Sequence, residues 1–417
     1  MEATTTKTVQ RRLTVGKRCV FAMLPLFLLL TLAELAARWL VSDAVIAKRF
    51  EQIEQIVVFL GNEPGESFFQ PDPDCFWRLK PNVVAPIERG NWWGGMMSNS
   101  HGMRSREVSV AETQDKLRVL CFGDSTTFAF GVDFAEAWPN QLQTLLDQEA
   151  VTSSTLNAAS ELTRSVSEGD STRDFPMPSL TRRVSNSVLK QPLATEVLNA
   201  GIPGQTSYQG RKRLLADLQK WRPHLTVITF GNNDGWRWDG LADKDHASVS
   251  SSFATKWLNH SRALSWLQSC RLPSAQQQTT NHESRWAEQA TQNYFDPNMS
   301  WTPRVSLDDF ADNLRAMIEL CHQRESEVVL IVWPDQRQLL NQPTWRLPYQ
   351  AAMRQVAQAT NTPCIDLVPL FEDTGQWGVA RFLPRDVIHV DRAGNELVRD
   401  AVAAHVRRVH ATVARSN

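Results

Sequence analysis

The 417-residue sequence predicts an α/β protein, with an open, mostly parallel five-stranded sheet and helices on both faces. Two observations predict the sheet: short apolar runs alternate with segments of helical periodicity, and turn-forming clusters follow the first three runs. A third, a long apolar run behind basic residues, adds an N-terminal transmembrane helix.

The first strand is Leu117–Phe122, a short apolar run that ends at Gly123. Further strands are expected at Glu196–Leu198, Leu225–Phe230, Val328–Val332 and Cys364–Leu367. Between and after them, apolar spacing predicts helices over Ala135–Gln148, Tyr208–Trp221, Leu307–Arg324, Tyr349–Ala359 and Ala393–Val409. The core domain therefore spans 115–410, with 411–417 as a tail. Two stretches interrupt it. Residues 150–193 are rich in Ser, Thr and charge, are broken by Pro176, Pro178 and Pro192, and read as a disordered insertion. Residues 241–303 are too long for a simple connection and read as a cap or lid.

At the N-terminus, Lys7, Arg11, Arg12, Lys17 and Arg18 precede an apolar run that reaches Val41. Residues 19–41 number 23, enough at ~1.5 Å per residue to cross a hydrocarbon core of ~30 Å. Glu34 and Arg38 lie one helical turn apart and could pair. Basic residues 1–18 place the N-terminus inside and the remainder outside the cytoplasm, as a single-pass signal-anchor. Cleavage as a signal peptide is the alternative. Residues 42–66 read as an amphipathic stalk, and the Pro-, Gly- and Trp-rich stretch from 70 to 110 suits short strands and turns, so 42–114 forms a stalk and accessory segment.

Lys plus Arg (44) nearly cancels Asp plus Glu (45), so no basic surplus exists to grip nucleic acid. The six cysteines show no CxxC pair, a disulfide is unsupported, and Cys121 and Cys364 in strand-like runs read as small core residues. Nothing in the composition calls for a metal or cofactor. The 15 tryptophans fill packing gaps or, at Trp92, Trp93, Trp236, Trp238 and Trp301, line a wall for a sugar or acyl chain.

Chemistry concentrates after the strands. Gly123-Asp124-Ser125 follows the first, Asn199-Ala-Gly201-Ile-Pro-Gly204 the second, and Gly231-Asn232-Asn233-Asp234 the third. Loops at the carboxyl ends of parallel strands meet at one edge. Ser125 supplies a nucleophile there, while glycine N–H groups and an asparagine amide are the donors that a developing oxyanion needs. Asp386 and His389, three residues apart before the last helix, can place a carboxylate on one ring nitrogen and leave the other for the serine. Each motif alone is more commonly a turn; their order is what points to acyl chemistry.

With these four motifs, Glu136-Ala-Trp-Pro139, Thr206 and Gly235, the chain resembles the SGNH/GDSL hydrolase superfamily. The resemblance implies a flavodoxin-like three-layer α/β/α sandwich and an esterase working through an acyl-enzyme. By family role Ser125 is the nucleophile, His389 the base and Asp386 its orienting partner. Ser125 N–H, Gly204 N–H and the Asn233 side chain would form the oxyanion hole, with Asp124, Gly201 and Asp234 supporting, and Gly201 ranked behind Gly204. Thr126 stands where the namesake motif has leucine. Leu79-Lys-Pro-Asn82 and Asn99-Ser-His-Gly-Met-Arg104 are similar to a segment upstream of the catalytic domain in bacterial membrane-anchored members.

The implied substrates are esters of small molecules, lipids or glycans, acted on outside the bacterial cell membrane. Two alternatives stay open at this level. The same triad could pass its acyl group to a cell-surface polysaccharide, or the chain could be a catalytically silent, Trp-rich glycan-binding module. Oligomeric state is not readable.

Overall fold

The computed structural model describes residues 15–40, 68–72, 74–85, 95–110, 116–169, 194–236, 242–246, 261, 263, 302–384 and 386–416. The 42–66 stalk, most of the 241–303 insertion, and Trp92, Trp93, Trp238 and Trp301 lie outside these residues.

The chain divides into two units. The first comprises Met1–Gln55 and Val249–Thr280 and carries helix α1 (Val15–Leu40). Its 26 residues extend ~39 Å at the α-helical rise. Within it, Met23–Leu40 is apolar and long enough to cross a membrane, a property that signal sequences share. Leu24, Phe27, Leu28, Leu30 and Trp39 are exposed. Arg38 Nε donates to Glu34 at 2.8 Å across one turn, so the two charges inside the apolar run satisfy each other.

The second unit, Ile56–Ser248 with Asn281–Asn417, holds the sheet. It opens with two antiparallel hairpins, β1 (Phe69–Asp72) with β2 (Phe76–Leu79), and β3 (Val84–Ala85) with β4 (Met96–Met97). The main sheet follows: β5 (Lys116–Gly123), β6 (Ala194–Gly201), β7 (Leu225–Thr229), β8 (Glu327–Val332) and β9 (Cys364–Asp366). All neighbours pair in parallel, in the order β6-β5-β7-β8-β9. Numbered within this sheet the order is 2-1-3-4-5, the flavodoxin-like arrangement, whose switch point lies between β5 and β7.

The helices are α2 (Ser125–Phe128), α3 (Trp138–Gly169), α4 (Ser207–Trp221), α5 (Asp243–His246), α6 (Leu307–Gln323), α7 (Gln336–Leu339), α8 (Leu347–Ala359), α9 (Leu367–Asp373), α10 (Gln376–Val379) and α11 (Arg392–Ser416). Alternate strand residues separate into two cores, because successive side chains leave opposite faces. Leu120, Phe122, Ile228 and Leu330 pack with α4, α6 and α8 through Leu214, Phe310 and Met353. Val119, Cys121, Val227 and Val329 pack with α3, α9 and α11 through Trp138, Phe371 and Val402. The result is a three-layer α/β/α sandwich, as the sequence predicts.

Some expectations need correction. The expected disordered insertion begins as helix, because α3 runs on from Gln148 to Gly169. No glycine or proline interrupts 140–168, so propagation continues until Gly169. Two of the hydroxyls that suggested a loop are accommodated on the helix itself: Thr152 Oγ1 donates to Gln148 O and Thr155 Oγ1 to Val151 O, both at 2.9 Å. Residues 170–193 lie outside the described residues. Likewise α11 continues past Val409 through most of the expected tail, which offers no breaker. Cys121 is buried, but Cys364 is exposed, because β9 is the edge strand and has a neighbour on one side only.

Candidate active site

The level ends of the strands decide what can meet. Gly123 pairs with Gly201 across β6 and with Thr229 across β7, so the loops after β5, β6 and β7 emerge at one edge. Asp124 leaves β5 in extended conformation and caps α2, its Oδ1 accepting from Thr126 N (2.9 Å) and Thr126 Oγ1 (2.7 Å). Ser125 is thereby the first helical residue, and its Oγ faces His389.

His389 arrives from the far end of the chain on a strapped loop. Phe382 bridges Val390, Leu383 N donates to His389 O at 2.9 Å, and Trp333 Nε1 holds Ile388 O at 2.8 Å. Asp386 folds back on this loop, its Oδ1 accepting from Ile388 N (2.8 Å) and His389 N (3.0 Å). Its Oδ2 lies 2.6 Å from His389 Nδ1, and His389 Nε2 lies 2.8 Å from Ser125 Oγ. That network assigns the proton to Nδ1, so that Nε2 accepts from the serine hydroxyl. The Phe130 ring packs on the imidazole with centroids 4.8 Å apart.

The second block is shaped by close approach. A Cβ on Gly201 would collide with the backbone nitrogen of Phe128, so only glycine lets β6 lie against the Ser125–Phe128 turn. Gly201 N–H is already used, donating to Asn199 Oδ1 at 3.1 Å. Gly204 has φ +77°, in the left-handed region, and its N–H meets no protein acceptor among the described residues. Asn233 Nδ2 donates to Gln205 O at 2.9 Å, with its second hydrogen in excess of that bond, and so joins the third block to the Gly204 loop. Asn232, part of the third motif but given no role of its own there, donates through Nδ2 to Asp124 Oδ2 at 3.2 Å.

Three carboxylates of the site, Asp124 and Asp234 buried and Asp386 partly buried, differ in electrostatics. Burial raises Asp124 despite bonds from Thr126 and Asn232. Burial likewise pushes Asp234 up to about 7, although it accepts from Ser207 N (2.9 Å) and Gly231 N (3.0 Å). For Asp386 burial works upward too, but the charge and hydrogen bonds of His389 outweigh it and hold the carboxyl below its ordinary range. Among the described residues no cluster of His, Cys, Asp or Glu could hold a metal ion.

Supporting residues come from places that no motif marks. Arg104, buried, donates to Phe128 O (2.7 Å), Ala129 O (2.7 Å), Val132 O (2.6 Å) and Gly95 O (3.0 Å), anchoring the chain just beyond α2. That is a structural role for the upstream Asn99–Arg104 segment. Burial lowers its guanidinium to about 9. Arg304 and Asp243, at the two ends of the 241–303 insertion, form a buried ion pair at 3.0 Å. Arg304 also donates to Gly204 O at 2.7 Å, and Thr206 Oγ1 to Asp243 at 2.6 Å. Buried arginines leave no local pattern; only their apolar neighbourhoods could have flagged them.

Ser125, His389 and Asp386 are hydrogen-bonded in line at the carboxyl edge of a parallel sheet, an arrangement that serine hydrolases use. Residues 165–397 match the GDSL-like lipase/acylhydrolase family, and the chain belongs to that family of ester-bond hydrolases. The matched span contains Gly204, Asn233, Asp386 and His389 and begins after Ser125. No curated protein matches. Among solved structures, the chain is similar to a lipase/acylhydrolase from Enterococcus faecalis, at 18% identity over 69% of this chain and 94% of that one, with TM-score 0.38. An esterase from Pseudoalteromonas sp. aligns at 14% identity over 70% and 98%, also at 0.38. An acetylxylan esterase from Geobacillus stearothermophilus aligns at 14% over 72% and 96%, again at 0.38.

Proposed function

We propose that the chain is an exported, membrane-anchored serine esterase that hydrolyses acyl esters of a small molecule, lipid or glycan through an acyl-enzyme. The observation that carries this reading is the 2.8 Å and 2.6 Å hydrogen-bonded line from Ser125 through His389 to Asp386.

Ser125 Oγ attacks the ester carbonyl while His389 Nε2 takes its proton. Asp386 holds the ring and stabilises the imidazolium. The tetrahedral oxyanion is received by Ser125 N–H, Gly204 N–H and Asn233 Nδ2. His389 then protonates the departing alcohol, and water, activated by the same nitrogen, releases the acid and restores Ser125. Asp124 and Asp234 serve as scaffolds, holding the nucleophile turn and the Gly231–Asp234 turn. The basic residues before α1 favour an extracytoplasmic catalytic unit.

The test is labelling of the full chain in detergent with a fluorophosphonate, with the adduct located by mass spectrometry. Ser125 should carry it, and Ser125→Ala should lower p-nitrophenyl acetate hydrolysis at least about 10⁴-fold. Adduct elsewhere, or activity retained in Ser125→Ala, sinks the assignment. An ester panel graded by acyl length defines the acyl pocket, and acyl transfer to an oligosaccharide outpacing hydrolysis would reassign the acceptor.

A further inference from the structure

The Pro203–Gly204 peptide carries an N–H assigned to the oxyanion, yet its carbonyl is held from far outside the catalytic blocks. Trp77 Nε1, on β2, donates to Pro203 O at 3.0 Å. In a trans peptide the C=O and N–H point in opposite directions within one plane. Anchoring Pro203 O therefore sets the direction of Gly204 N–H. The anchor matters here because Gly204, at φ +77°, has no side chain to resist rotation of that plane. A hydrogen bond to the carbonyl also polarises the peptide and strengthens its N–H as a donor.

The indole is itself immobilised. Trp77 is 2% exposed, and its backbone carbonyl accepts from Gln205 Nε2 at 2.8 Å. Gln205 Oε1 in turn accepts from Arg213 Nε at 2.8 Å. Three consecutive carbonyls of the loop thus each take a different side-chain donor: Pro203 O from Trp77, Gly204 O from Arg304 and Gln205 O from Asn233. The Arg304 guanidinium also sits 5.9 Å from the Trp77 ring centre.

We infer that Trp77 is a positioning residue for the oxyanion hole, so that the β1–β2 hairpin upstream of the catalytic blocks is part of the catalytic apparatus. This rests on the reading of Gly204 as an oxyanion donor. Loss of the indole N–H leaves the Gly204 N–H present but free to turn, so it costs less than removing a donor outright.

The experiment compares the full chain in detergent with Trp77→Phe and with a variant carrying benzothienylalanine at 77, which keeps the bicyclic shape and replaces N–H by sulfur. Both should lose about 10-fold in kcat for p-nitrophenyl acetate, with KM within about twofold, because the contact acts on the transition-state charge. A merely structural Trp77 would move the thermal midpoint and the active fraction instead; active-site titration with the fluorophosphonate corrects for the latter. Should Trp77→Phe fold poorly, the benzothienylalanine variant carries the comparison. Ser125-dependent turnover with kcat unchanged in the folded variant overturns the positioning role alone. Turnover that survives Ser125→Ala overturns the esterase site and the Trp77 role with it.

Discussion

Replacing Arg304 with methionine should destabilise the catalytic unit and slow its chemistry together. Arg304 and Asp243 are both fully buried, and the guanidinium spans Asp243 Oδ1 (3.0 Å), Asp243 Oδ2 (3.1 Å), Gly204 O (2.7 Å) and Gln209 Oε1 (3.1 Å). Methionine fills much of the space but leaves the Asp243 carboxylate buried against Thr206 Oγ1 and little else. Removing one partner of such a pair costs about 3–5 kcal/mol. At about 2 °C per kcal/mol for a domain of this size, the midpoint should fall by about 8 °C. Asp243→Leu combined with Arg304→Met removes the orphaned charge as well and should recover about half of the loss or more, since a buried pair and an apolar pair of similar volume are close in free energy. Recovery stays incomplete because Gly204 O still lacks a donor, whereas Gln209 Oε1 keeps Thr206 N at 2.7 Å. Thermal and urea unfolding of the detergent-solubilised chain, followed by tryptophan fluorescence, measure both variants, and steady-state hydrolysis reports the freed Gly204 carbonyl. A single variant within about 1 kcal/mol of wild type, or a double variant no more stable than the single, would refute this account of the pair.

Gly201→Ala drives a methyl into the backbone nitrogen of Phe128, so about 1–3 kcal/mol of stability should go, and kcat and fluorophosphonate labelling should slow as the Ser125–Phe128 turn is displaced; unchanged labelling would contradict it. Arg104→Lys keeps the charge but cannot reach four carbonyls at once, and a loss of about 3 kcal/mol in urea unfolding is expected. Asp386 is held below its ordinary value of 3.8, so its contribution to stability is full above that pH and is lost as pH falls through the lower, folded-state value. Accordingly the stability gap between wild type and Asp386→Asn should narrow only below about pH 4, which midpoints measured from pH 7 downward will show.

Much of the sheet is legible because its determinants are local. Val328–Val332 is apolar on both faces and reads as a buried parallel strand, and the helical spacing within 307–324 is that of a one-sided amphipath. The 150–169 segment misled because serine and threonine suit loops, whereas hydroxyls returned to the preceding helical turn satisfy themselves without leaving the helix. Cys364 misled because a strand's composition does not say whether it lies at an edge.

The candidate site divides along the same line. Asp386 and His389 are readable as a pair because they stand three residues apart in sequence, close enough for the side chains to meet within one loop. Ser125, Gly204 and Asn233 stand out because tight turns after strands need those residue types in short order. What the sequence alone determined is which residue types follow which strands and that they are delivered to one edge. Only the tertiary structure decided how the Gly204 loop is held, through Trp77 from 126 residues before Pro203 and Arg304 from 100 residues after Gly204. A hydrogen bond over such separations depends on the packed geometry of the whole unit, and no local pattern encodes it.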